Sequence, residues 1–127
     1  MTPTLRFIIL AAAILGFTGV SLGAFGAHAL KETLTTRGHV GTWQTAVLYH
    51  LLHAVALLAL AGFAGSWPQA RAIGWCWTLG TVLFSGSLYW LSLGGPKFLG
   101  PITPIGGLLF LAGWTLVGWG TLRQLNP

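Results

Sequence analysis

Three histidines lie inside or at the edge of apolar sequence: His28 in "GAFGAHALKETL", and His50 and His53 in "WQTAVLYHLLHAVALL". Imidazole changes charge near neutral pH and ligates metals through either ring nitrogen. His50 and His53 stand one helical turn apart, so both rings can face one neighbour. The chain's only acidic residue, Glu32, follows His28 by one turn, and a further histidine, His39, comes soon after. His28, Glu32, His50 and His53 are therefore the candidates for polar or proton-carrying chemistry.

Several chemistries fit these residue types. A transition metal held by His50 and His53 needs a third ligand, and no cysteine or carboxylate within the apolar runs is placed to supply it. A haem takes axial histidines, but nothing else in the sequence selects for one. A proton relay could run from His39 or Glu32 through His28 to His50 and His53. Pumps and transporters usually place an Asp or Glu in the membrane as well, and this chain has no Asp at all. The plainer reading makes each imidazole neutral and bonded to a carbonyl, a hydroxyl, Tyr49 or Tyr89 on an adjacent helix. Serine hydrolysis at Ser85 or Ser87 lacks an orienting acid and a nucleophile turn. Phosphate-loop, dinucleotide and zincin motifs are missing too. The residues predict a non-enzyme with no metal and no cofactor.

Composition says what must position these groups. Of 127 residues, 54% are hydrophobic and 6% charged, with a mean hydropathy of +0.78. A soluble domain needs roughly a quarter of its residues charged to cover its surface. Most of this chain must therefore be solvated by lipid. The net charge of +5 does not mark a nucleic-acid binder. Arg6, Lys31, Arg37, Arg71, Lys97 and Arg123 are scattered singly at the edges of apolar runs, as anchors of membrane helices are. Cys76, the lone cysteine, sits between Trp75 and Trp77 and reads as a small buried hydrophobe.

Four uncharged runs follow: Phe7 to Ala29, Trp43 to Phe63, Ala72 to Leu93, and Ile102 to Leu122. Each has about 20 residues, enough to cross a hydrocarbon core of about 30 Å. Leu30–Thr42, Ala64–Arg71 and Gly94–Pro101 carry the glycine, proline and charge of connections. The expectation is an all-α, single membrane domain over 1–127, an antiparallel four-helix bundle. The first run also has features of a secretory signal, with "AHA" resembling a cleavage site, but its apolar stretch is too long for a signal core. Lysines and arginines divide evenly between the two ends; the terminal amine tips the balance towards both termini in the cytoplasm.

In lipid, close backbone approach and interhelical hydrogen bonds must hold helices together. Ala12, Gly16, Gly19, Gly23 and Gly26 form a small-residue stripe in the first run. Gly74, Thr78, Thr81, Ser85 and Ser92 form one in the third, and Gly106, Gly113 and Gly120 recur one heptad apart in the fourth. The hydroxyls should bond carbonyls of their own helix rather than line a pore. If each stripe needs its own partner, there are more than one bundle uses. That predicts a homo-oligomer or a place in a larger membrane complex. In the second run, Trp43, His50, His53, Leu57 and Leu60 share a face. His28, one turn in from Lys31, should lie just below the interface and bond a neighbouring helix, with Lys31 and Glu32 among the headgroups.

"GAFGAHALK", "WQTAVLYHLLHAVALL", "LFSGSLYWL" and "GPITPIGGLLFLAGW" resemble, in order, the four signature segments of the domain-of-unknown-function 423 family. The resemblance covers nearly the whole chain. It implies a small four-span protein of the bacterial inner membrane, related to the eukaryotic transmembrane protein 256 group, and it implies no activity. His28 and His53 match motif positions, while His50 stands where relatives often carry glutamine. The leading expectation is a non-enzymatic structural or accessory subunit in the lipid bilayer. Its rivals are a small transporter or proton-conducting element using the histidines, and a metal- or haem-binding subunit.

Overall fold

The computed structural model describes residues 1–125, and the description is all helical. The helices are α1 (Pro3–Ala27), α2 (Lys31–Arg37), α3 (Val40–Ala61), α4 (Ala70–Ser92) and α5 (Leu99–Leu125). Thr2 starts α1 by accepting the Leu5 N–H at 3.2 Å, with Pro3 in the first turn, where its missing N–H leaves no bond unmade. α1 stops at Ala27, and the Leu30 N–H closes the end on the Phe25 carbonyl at 2.8 Å.

The segment Leu30–Thr42, expected to be a loop, contains α2. Seven residues are too few to show a periodic pattern, yet their ends suit a helix. Glu32 sits in the first turn and Arg37 in the last, each opposing the local helix dipole. Gly38 then takes the left-handed conformation, φ 69°, and the His39 N–H returns to the Leu34 carbonyl at 2.9 Å. Leu34, fully buried, pins the little helix to the rest.

Helices adjacent along the chain run antiparallel, as their side-chain pairings show. Gly19 faces Leu51, Gly23 faces Val47, and Gly26 faces Trp43 across α1 and α3. Across α3 and α4, Trp43 faces Tyr89, Tyr49 faces Phe84, and His53 faces Trp77. On α5, Gly106 lies against Phe84, Gly113 against Trp77, and Gly120 against Gln69. α4 is the central helix: it packs closely on α5 and α3 and touches the start of α1, whereas α5 packs chiefly on α4. The four long helices are thus strung α1–α3–α4–α5 around α4 rather than equally shared around one axis. α1, α3 and α5 are each long and apolar enough to cross a membrane. α4, rich in Gly, Ser and Thr, has more of its length buried against protein than any other helix.

The glycine stripes are used within the chain. A Cβ on Gly26 would strike the Trp43 indole, one on Gly113 the Trp77 indole, and one on Gly106 the backbone of Phe84. Gly74 lies against Phe7 and Ile8 of α1. Gly16 differs from its expected role: a Cβ there meets nothing within 4 Å, because the residue opens onto the groove between α1 and α3. This gives opposite expectations for two similar changes. Gly106→Ala should destabilise the protein by roughly 1–3 kcal/mol, since backbone cannot move aside as a side chain can. Gly16→Ala should stabilise it by up to about 1 kcal/mol through helix propensity. Unfolding in detergent micelles reads both, and shifts of the same sign would refute the assignment of contacts.

Candidate functional site

α3 carries its two histidines into the interior, on the face shared with Trp43, Ala46, Leu57 and Leu60. His53 is 2% exposed. Its Nδ1–H donates to the Tyr49 carbonyl one turn back, at 2.9 Å. Its Nε2 accepts the Trp114 indole N–H of α5 at 3.2 Å. One nitrogen therefore carries the proton and the other cannot, because an indole N–H only donates. The ring is stacked on Phe110 with centroids 3.7 Å apart and planes 7° from parallel. Trp77 and Trp114 stand edge-on to it at 5.9 and 6.1 Å. His53 is a neutral imidazole in an aromatic box.

His50 joins three helices. Its Nε2 lies 3.1 Å from the Thr18 hydroxyl of α1, and its Nδ1 lies 2.9 Å from the Tyr89 hydroxyl of α4. Thr18 gives its own proton to the Ile14 carbonyl at 2.8 Å, so it accepts from His50 Nε2–H. His50 Nδ1 is then the acceptor of the Tyr89 proton. Both rings have each nitrogen matched to a partner of the complementary kind. Side by side on α3, they face different helices and share no ligand.

Other polar atoms repeat the pattern. The Trp43 Nε1–H reaches the Leu22 carbonyl of α1 at 2.9 Å. Ser85 donates to the Ala46 carbonyl of α3 at 2.7 Å, so it ties helices together instead of bonding its own. Thr78, Thr81 and Ser92 do bond carbonyls one turn back in α4. Ser87 and Thr103 meet across α4 and α5 at 2.6 Å. The Trp77 Nε1 and Gln69 Nε2 are buried with no hydrogen-bond partner among the described residues. Each abuts a glycine of α5, Gly113 or Gly120.

The remaining candidates stand apart from this centre. His28 is exposed and makes no side-chain hydrogen bond among the described residues, which corrects its expected role inside the bundle. The cause is the end of α1 at Ala27: His28 caps the helix through its backbone and its ring swings outward. Glu32 lies on the exposed side of α2 with Thr33, Thr36 and Arg37. Cys76 is half-buried. Among the described residues no three His, Cys, Asp or Glu side chains gather as a ligand set. Thr18, Phe110 and Trp114 had no signal of their own in the sequence, because their part depends on which turn of one helix faces which turn of the next.

Two sizeable hollows between the helices are lined mainly by apolar side chains. One of about 650 Å³ lies between α1, α2 and α3, and a second of about 380 Å³ continues it past Gly16. Outward-facing side chains such as Ile14, Phe17, Leu58, Leu108 and Leu111 are large and apolar. A polar centre sealed within helices whose outer faces are aliphatic defines an integral membrane protein. The chain belongs to the family described as protein of unknown function DUF423, whose model matches residues 22–107.

Relatives named as membrane proteins match along more than nine-tenths of their length. The UPF0382 inner membrane protein YgdD of Escherichia coli K12 is 43% identical over 125 residues, covering 94% of this chain and 92% of its own. The UPF0382 membrane protein SH2409 of Staphylococcus haemolyticus is 40% identical, covering 94% and 98%. SSP2132 of Staphylococcus saprophyticus is 37% identical, covering 94% and 99%. No solved structure matches. The chain is an inner-membrane protein.

If the His53–Trp114 bond holds α3 to α5, a double-mutant cycle with His53→Phe and Trp114→Phe should return a coupling of about 0.6 to 1.7 kcal/mol. Unfolding in micelles measures it, and additive effects would refute the bond. Tyr89→Phe should destabilise by roughly 1 kcal/mol, leaving His50 Nδ1 unpaired.

Proposed function

We propose that the chain is a non-enzymatic, four-span membrane protein that acts through helix packing, as a homo-oligomer or as an accessory subunit of a larger complex. The observation that supports this is the pairing of both ring nitrogens of His50 and His53 within the chain. Neither ring has a nitrogen left for a substrate, a metal or haem iron. α1, α3, α4 and α5 would be the spans. The lower apolarity of α4 is no obstacle, since its small polar residues face protein. Both termini then lie on one side, taken here as cytoplasmic.

The glycine stripes, which first suggested a partner, find their contacts inside the chain and no longer argue for one. One surface open to association is the outer side of α5. It presents Ile105, Leu108, Leu111, Trp119 and Leu122, and α5 has its main neighbour on one side only.

A proton conductor is less well supported. The line from Tyr89 through His50 to Thr18 ends on the Ile14 carbonyl, which has no proton to pass on. His28 and Glu32 lie at the exposed end, outside that line. Proteoliposomes should show no proton flux above lipid alone across a range bracketing the free imidazole value of about 6.5. Sizing in mild detergent should give a particle larger than one 13.4 kDa chain. A monomer whose proton flux disappears in His53→Ala would overturn this reading in favour of its rival.

A further inference from the structure

We infer that the groove between α1, α2 and α3 is a binding site for an anionic phospholipid, one acyl chain lying in the groove and the phosphate meeting Lys31 at α2. The groove holds about 650 Å³, and Gly23, Gly26, Trp43, Val47, Leu51 and Val55 are among its walls. Along α3 it runs from Val40 to Val55, about 22 Å at roughly 1.5 Å per residue. That exceeds the roughly 15 Å of one leaflet's hydrocarbon, so the groove takes a chain lengthwise. Its walls include the exposed apolar side chains Leu48, Leu52 and Val55, which suit lipid better than water.

The two ends differ in charge, and this selects the headgroup. Leu34 of α2 closes one end, where Gln44 is the polar residue of the wall. Lys31 stands one turn before Leu34 on the same side of α2. Glu32 is turned to the other side of α2, with Thr33, Thr36 and Arg37. The Arg37 guanidinium lies against Gly94, at the connection between α4 and α5. The mouth thus offers an ammonium and an amide, and the chain's one acid faces away. A zwitterionic headgroup would bring its own cation up to Lys31. A long helix from a second copy, about 10–12 Å across, would bring no anion to it, since the chain's one acid lies on α2.

The test is native mass spectrometry of the intact protein in mild detergent. Phosphatidylglycerol and phosphatidylcholine with identical acyl chains compete for it. Wild type should retain phosphatidylglycerol at least roughly fivefold better, the preference one juxtamembrane lysine supplies. Lys31→Glu should remove the preference and leave chain binding. Val55→Trp, at a position 68% exposed on the groove wall, should lower retention of both lipids. Equal retention by wild type, an unchanged preference in Lys31→Glu, or a lipid-free dimer would each overturn the inference. Lys31→Glu alters a surface residue only, so it decides the question even if Val55→Trp does not fold.

Discussion

A polar group inside hydrocarbon has no water to fall back on, so its partner must come from the protein. α3 carries two imidazoles into that setting, and each needs one donor and one acceptor. His50 finds them on α1 and α4. His53 finds one on its own helix and one on α5. Every other long helix is thereby tied to α3 at a particular turn. Sliding any of them by one residue leaves a ring nitrogen unpaired, a penalty of roughly 1–3 kcal/mol each time. Apolar contact gives no such precision in lipid, where one aliphatic neighbour serves as well as another.

The rings also set how far apart the helices stand. α4 and α5 approach closely because glycines on one receive rings and backbone of the other: Phe110 at Gly80, Trp77 at Gly113, Phe84 at Gly106. α3 and α5 are held further apart by the stack of His53 on Phe110 and by Trp114 beside it. Trp43 combines both devices, seating its indole against Gly26 while its N–H reaches the Leu22 carbonyl. Large rings in small notches give the interior its shape, and the hydrogen bonds give it its register.

How much of this the sequence discloses follows from which interactions are local. Apolar length reveals the long helices, and heptad spacing reveals that Gly106, Gly113 and Gly120 share a face, since both are properties of one helix at a time. The bonding of His50 to Tyr89 was within reach, because a buried imidazole needs a partner and few phenols exist to supply one. Trp114 and Thr18 were out of reach, because no pattern within a helix tells which turn of another it meets. Gly16 shares its stripe's period, yet α3 does not approach it. Continuing α1 through residue 29 puts His28 inside the bundle, whereas the helix stops at Ala27 and the side chain is exposed. α2 was missed for the same reason that it is stable: a buried Leu34, a favourable pair of end charges and a glycine stop act over too few residues to show a period.

α4 combines the least lipid-like sequence of the long helices with the most central position. A segment entering the bilayer is sorted by its own transfer free energy, and hydroxyls and tyrosine lower that tendency. α1 and α3, each apolar enough by itself, can enter and pair across Gly19, Gly23 and Gly26 before the rest of the chain arrives. α4 gains what it lacks only when Ser85 finds the Ala46 carbonyl, Tyr89 finds His50, and α5 closes over Gly80. If α4 spans the membrane as proposed, its insertion is coupled to its folding, and His50 on α3 becomes the template that retains a reluctant segment.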